Sequence, residues 1–137
     1  MDDCIFCKII KGQIPCYKIY EDEHTLAFLD IANDLFGHTL VIPKKHCANT
    51  LNCDNLTINR TMAAVKKIAE HYIGLGFDGI NIMNANGAAA EQSIMHLHFH
   101  IFPRKNNDGL VLHAIKLPKN NFTLEEQAEK LRMTNDK

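Results

Sequence analysis

A chain of 137 residues, 46% of them hydrophobic, buries one sizeable core but not two, so a single domain spanning 1–137 is predicted, with its core at about 4–105 and a C-terminal extension at 106–137. Fifteen Lys and Arg against 16 Asp and Glu leave a formal net charge of −1, which argues against the broad basic footprint of a nucleic-acid or membrane-surface binder. No charged-then-apolar leader opens the sequence, its apolar runs fall short of the roughly 20 residues a membrane span needs, and its cysteines number five; a cytoplasmic protein with reduced thiols or a metal site is expected, ahead of a disulfide framework.

In chain order, Cys4 to Lys11 predicts a short helical turn with Ile5, Phe6, Ile9 and Ile10 inward, ended at Ile14-Pro15. Tyr17–Tyr20 and Thr25–Leu29 predict two strands joined by the acidic turn Glu21-Asp22-Glu23-His24, a hairpin in its simplest pairing. His38–Pro43 follows Gly37 as a third strand, and its unbroken Leu40-Val41-Ile42 predicts burial on both faces. From 55 to 73 apolar residues recur at Ile58, Met62, Val65, Ala69 and Tyr72, the spacing of the longest helix, closed by Gly74 and Gly76. Gly79–Met83 is a fourth strand, Asn84–Ala90 a loop, and Met95–Phe102 a fifth strand stopped by Pro103. Thr123-Leu124-Glu125-Glu126 has capping-box spacing and predicts a last helix at about 124–133. Strands without regular intervening helices indicate an α+β fold, a five-stranded antiparallel sheet with one long helix and short terminal ones.

Within the fifth strand the sequence reads His96-Leu97-His98-Phe99-His100-Ile101-Phe102. Period-two alternation puts the three imidazoles on one face and Leu97, Phe99 and Ile101 on the other. Two chemistries need such a row. A neutral imidazole is a nucleophile toward a phosphate while its neighbours bind the charged oxygens. Alternatively, histidines two apart on a strand share a metal that activates water. A thiolate pair, Cys4-x-x-Cys7, can hold zinc given two more ligands, for which His46 and His96 are the candidates.

Several further stretches sit around this row in fixed order: Ile5-Phe6 with Lys8-Ile9-Ile10, Ile14-Pro15, Tyr20-Glu21-Asp22-Glu23, Ala27-Phe28-Leu29-Asp30-Ile31, Gly37-His38-Thr39-Leu40-Val41-Ile42-Pro43-Lys44 with His46, and Gln92-Ser93. Together they resemble the histidine-triad (HIT) superfamily of nucleotide hydrolases and transferases across most of the chain. The resemblance implies a HIT-like fold in which His98 attacks the α-phosphorus of a nucleotide, and the nucleotidyl-histidine formed is then hydrolysed. It further implies that His100 binds phosphate oxygens, that His38 belongs to the polar network around the nucleophile, and that Ser93 aids protonation of the leaving group. By the same resemblance Asp30 accepts the ribose hydroxyls, Asn84 is a phosphate-loop amide, and Gln92 joins the substrate-binding set. The purine then lies against Ile5, Phe6, Ile9, Phe28, Ile31 and Leu40.

In bacterial members that this chain resembles, Cys4, Cys7, His46 and His96 match the ligands of a structural zinc, which makes His96 structural and leaves no metal requirement for catalysis. A homodimer joined through sheet edges is implied too. The expected function is hydrolysis of purine nucleoside phosphoramidates, the alternatives being a diadenosine-polyphosphate hydrolase on the same site, a metal-dependent hydrolase using the triad as ligands, or a nucleotide-binding adaptor with little turnover. Two departures stand out: Glu91 replaces the Gly of many relatives, and the chain has no Trp.

Overall fold

A computed structural model describes residues 3–112 and 117–134; residues 113–116 and 135–137 of the expected C-terminal extension lie outside the described residues. The elements are α1 (Ile5–Ile10), β1 (Lys18–Glu21), β2 (Thr25–Leu29), β3 (Thr39–Pro43), α2 (Asn55–Gly74), β4 (Gly79–Met83), β5 (Phe99–Arg104) and α3 (Leu124–Leu131). The five strands form one sheet in the order β1-β2-β3-β5-β4, antiparallel throughout. No described helix is long and apolar enough to cross a membrane.

Each element starts where its local chemistry allows. The Asp22 carboxylate accepts the backbone N–H groups of His24 and Thr25, both at 2.8 Å, and closes the β1–β2 hairpin. Asp54 caps α2 by accepting from the N–H of Thr57, and Thr123 with Glu126 forms the expected capping box of α3. Gly37 has a φ of +83°, and a Cβ there would stand 2.8 Å from Pro103 Cγ. Only glycine therefore lets the chain enter β3 this close to β5.

Strand alternation divides the core in two. On one face Ala27, Val41, Leu97, Phe99 and Ile101 meet Ala64, Val65, Ile68 and Tyr72 of α2. On the other, Leu26, Phe28, Leu40 and Ile42 meet Phe6 of α1. The expected double-sided burial of β3 is present, since all five of its residues are buried.

Four details differ from the sequence reading. Helix α1 ends at Ile10, where Gly12 turns the chain at a φ of +77°, before Ile14-Pro15; Ile5 at its start is 43% exposed rather than inward. The inward stripe of α2 is Thr57, Thr61, Ala64, Val65, Ile68 and Tyr72, with Met62 exposed. Thr61 takes the inner place because its hydroxyl donates to the carbonyl of Thr57 at 2.7 Å, so burying it leaves no polar atom unpaired.

The last two differences concern β5 and the cysteines. β5 begins at Phe99 rather than Met95, because the preceding backbone bonds to loops: Leu97 N–H donates to Cys47 O at 2.8 Å, and Asn84 Nδ2 donates to His98 O at 2.9 Å. It runs through Pro103 rather than stopping there, since the β3 ladder has already ended at the Thr39 and Ile101 pair and leaves room for a residue with no N–H. Cys47 and Cys53 are joined in a disulfide instead of remaining reduced, while Cys4, Cys7 and Cys16 are free.

Leu97, fully buried under α2, anchors the triad segment. Leu97→Ala should lower unfolding free energy by about 3 kcal/mol in a denaturant titration, the usual cost of a leucine cavity; a loss under about 1 kcal/mol would show that the α2 face does not hold this segment.

Candidate functional site

Two clusters of imidazoles lie along the segment 96–100. In the first, Cys4 Sγ and Cys7 Sγ stand 3.4 Å and 3.6 Å from His96 Nδ1, Cys7 Sγ lies 3.3 Å from His46 Nδ1, and the two Nδ1 atoms are 3.2 Å apart. Tetrahedral zinc, with bonds of about 2.3 Å to sulfur and about 2.0 Å to nitrogen, spaces its ligands by about 3.6 Å (S to N) and about 3.3 Å (N to N). The donor set fits. His96 Nε2 lies 2.9 Å from the carbonyl of Pro43, which can only accept, so Nε2 carries the proton and Nδ1 offers its lone pair to the thiols. Burial pushes the His96 pKa down to about 4, so this ring is neutral at neutral pH, as a ligand must be.

The second cluster is built on the same logic. His98 Nδ1 lies 2.7 Å from the carbonyl of His96. The proton is thereby fixed on Nδ1, and Nε2 is left with a free lone pair. Phe6 of α1 packs edge-on to both His96 and His98, with ring centroids 5.8 Å and 5.4 Å away. His38 donates from Nδ1 to the carboxylate of Asp34 at 2.7 Å, which turns its Nε2 into an acceptor for His100 Nδ1–H at 2.9 Å. Asp30 Oδ2 stands 3.6 Å from the same His38 Nε2. Phe102 stacks on His38 at a centroid distance of 4.3 Å and holds this ring flat against β5.

The predicted residues are brought together unevenly. Asp30, His38, His98 and His100 meet, with Phe6 and Phe28 in edge contact at 5.5 Å and Leu40 paired in register with His100. Ile9 is partly buried against Phe6. Ile31 is 87% exposed just past β2. Ser93 is exposed and lines a cleft of about 390 Å³ with Asp3, Cys4, Ile5, His46 and Met95.

Asn84 and Gln92 serve the protein first. Asn84 donates to the carbonyl of His98 and accepts from Thr50 Oγ1 at 2.8 Å. Gln92, expected among the substrate-binding residues, is 4% exposed and has its amide committed: Oε1 accepts from Gly87 N–H and Asn49 Nδ2, while Nε2 donates to the carbonyls of Ala48 and Ile94. It pins the loop that leads to the triad. Glu91 beside it has a φ of 67°, which explains why glycine suits this position and why a side chain here is conformationally costly.

Sequence reasoning missed Asp34, Phe102, Asn49 and Thr50. Asp34 stands four residues before His38, a hint visible only once His38 is assigned a role. Nothing in the sequence marks Asn49 and Thr50, whose importance comes from the 47–53 loop that the disulfide closes over Asn84 and Gln92.

Burial and the neighbouring His98 and His38 push the His100 pKa down to about 4, against a weaker upward pull from Asp30 and Asp34. Between that value and the ordinary 6.5 the unfolded chain binds more protons, so stability rises with pH there. The His100 contribution is complete above pH 6.5, is lost as pH falls from 6.5 to 4, and changes no further below 4. His100→Gln should therefore show a shallower fall in melting temperature from pH 7 to 4.5 than the native chain, and an equal fall would remove His100 from the account.

The model of the HIT domain matches residues 11–107. An adenosine 5′-monophosphoramidase of Schizosaccharomyces pombe is 43% identical over 105 residues, covering 77% of each chain. The crystal structure of a HIT-family protein from Bacillus subtilis superposes with a TM-score of 0.81 at 42% identity, over 93% of this chain and 92% of that one. A Zn-bound histidine triad family protein from Mycobacterium smegmatis does so at 0.74 and 41%, over 80% of this chain and 81% of that one. With its histidine row leading into β5 of an open five-stranded antiparallel sheet, this chain belongs to the histidine-triad, or HIT, family.

Proposed function

We propose that the protein is a nucleotide hydrolase that cleaves the α-phosphate linkage of purine nucleoside phosphoramidates through a nucleotidyl intermediate on His98. One observation carries this reading: the His96 carbonyl takes the His98 proton at Nδ1, so the nitrogen available for attack is Nε2. The name of the S. pombe relative, a monophosphoramidase, supports the substrate class. In the first displacement Nε2 bonds to phosphorus, the P–N bond breaks, and the amine departs with a proton relayed from solvent by the Ser93 hydroxyl. In the second, water attacks the same phosphorus and gives a proton back to solvent, the P–Nε2 bond breaks, and AMP or GMP leaves with His98 restored.

His100 faces the phosphate. Its Nδ1–H is engaged with His38, so donation to a phosphate oxygen comes from Nε2 once the ring is protonated, a state the anionic substrate favours. Asp30 offers its carboxylate to the ribose hydroxyls. The base lies against Phe6, Phe28 and Leu40, with Ile5, Ile9 and Ile31 at its edges. Glu91 adds a negative charge two residues before Ser93, which favours an amine over a polyphosphate as leaving group.

Cys4, Cys7, His46 and His96 would hold a structural zinc, for which the ligand spacing and the Zn-bound relative are the support. Bound there, the ion supplies a cross-link between the N-terminal segment, the loop after β3 and the triad strand, and its four-ligand shell offers no position to a substrate. A cytoplasmic homodimer belongs to the same reading. Its support is the free outer edge of β4, where exposed Ile82 joins Met62, Ala69 and Ile73 of α2 in an apolar groove.

Release of AMP from a lysine-linked AMP phosphoramidate should fall by at least about 10³-fold in His98→Ala, with folding checked by circular dichroism; equal rates would rule out the histidine nucleophile. Zinc analysis should find one ion per chain, lost in Cys4→Ser/Cys7→Ser. Chelation should lower the melting temperature by several degrees while turnover below that temperature stays within a few-fold. An immediate loss of turnover at full stability would instead favour a metal-dependent hydrolase.

A further inference from the structure

The second imidazole cluster carries more than a proton network. A ring nitrogen each of His38 and His100 and a carboxylate oxygen of Asp30 lie within 4.8 Å of one another, sharing no ligand with the Cys4–Cys7 site. We propose that these three residues form a second metal site, for a borderline divalent transition cation such as Zn²⁺, whose occupancy excludes nucleotide. The exclusion rests on the reading of Asp30 as the ribose acceptor; the metal site does not.

Four features of the geometry argue for it. Two imidazoles and one carboxylate with ligand atoms within 4.8 Å of one another make a donor set that takes divalent transition metals. Two of the separations lie close to what an ion needs: ligand atoms about 2.1 Å from a shared ion stand about 2.9 to 3.4 Å apart, against 2.9 Å between His38 Nε2 and His100 Nδ1 and 3.6 Å between Asp30 Oδ2 and His38 Nε2. Third, Asp34 accepts the Nδ1–H of His38 at 2.7 Å, the outer carboxylate that orients a metal-bound histidine and raises its basicity. Fourth, Phe102 stacks on both rings, at 4.3 Å from His38 and 5.8 Å from His100, so the pair is already oriented.

Binding needs no net proton release. The single proton of neutral His100 moves from Nδ1 to Nε2, freeing Nδ1 for the ion, and His38 keeps its proton on Nδ1 with Asp34. The ion then sits on the carboxylate a ribose would use and ties up the imidazoles next to His98. Excess cation would therefore silence the site that the zinc at Cys4 and Cys7 stabilises.

The test is isothermal titration of ZnCl₂ into the untagged full chain already holding one zinc equivalent, with and without AMP. A further equivalent per chain is expected. Asp30→Asn and His38→Gln should abolish it, and Asp34→Asn should weaken it by roughly 10- to 100-fold. Asp30→Asn preserves the oxygen that accepts from Ala32 N–H, so it carries the comparison even if His38→Gln does not fold. No equivalent beyond the first, or one undiminished in Asp30→Asn, overturns the proposal. AMP should raise the apparent Kd of the second equivalent. If the variants lose the ion but AMP leaves its affinity unchanged, the metal site stands and the nucleotide reading of Asp30 falls.

Discussion

Burial of Leu97, Phe99 and Ile101 beneath α2 is the constraint from which the site follows. The alternation of β5 continues back through the loop-bonded residues 96–98, so fixing those three apolar side chains leaves His96, His98 and His100 on the opposite side. There Phe6 of α1 stands edge-on to His96 and His98, and His100 meets His38. A slip of one residue would send the imidazoles into the α2 core and expose the apolar set, destroying packing and chemistry together. Stability and reactivity thus share one register.

Orientation within that face is settled by acceptors that cannot donate. The Pro43 carbonyl, the His96 carbonyl and the Asp34 carboxylate each take one imidazole proton, from His96, His98 and His38 respectively. Each ring is left with its other nitrogen bare and turned elsewhere: toward the thiols for His96, away from the backbone for His98, and toward His100 for His38. Three histidines of identical chemistry acquire three roles through the second atom each one touches.

Period-two and period-3.6 patterning was legible in the sequence because it reports which face is buried; β2 and β4 fall at their expected residues, and the triad, the cysteine pair, His46 and Asp30 follow from motif. What stayed hidden depends on contacts between distant segments. β5 starts late because Leu97 and His98 bond to Cys47 and Asn84, partners 50 and 14 residues away that no local pattern marks. Thr61 replaces Met62 on the inner stripe for a reason of hydrogen bonding, to which hydropathy is blind. Asp34, Asn49 and Thr50 are ordinary loop residues until the fold sets them beside His38, Gln92 and Asn84. An odd cysteine count likewise could not say which two would meet.

The loop closed by Cys47 and Cys53 shows how the two clusters come to depend on one another. Its first residue follows His46 directly and receives the N–H of Leu97, the residue between His96 and His98. Asn49 and Thr50 grip Gln92 and Asn84, and Asn84 holds the carbonyl of His98. A displacement of this loop therefore reaches the Cys4–Cys7 quartet at one end and the backbone of His98 at the other. The contacts run through His96: its ring stands beside His46, and its carbonyl accepts the Nδ1–H of His98. His96 thus joins the two clusters, its ring standing among the thiols and its carbonyl accepting the Nδ1–H of His98.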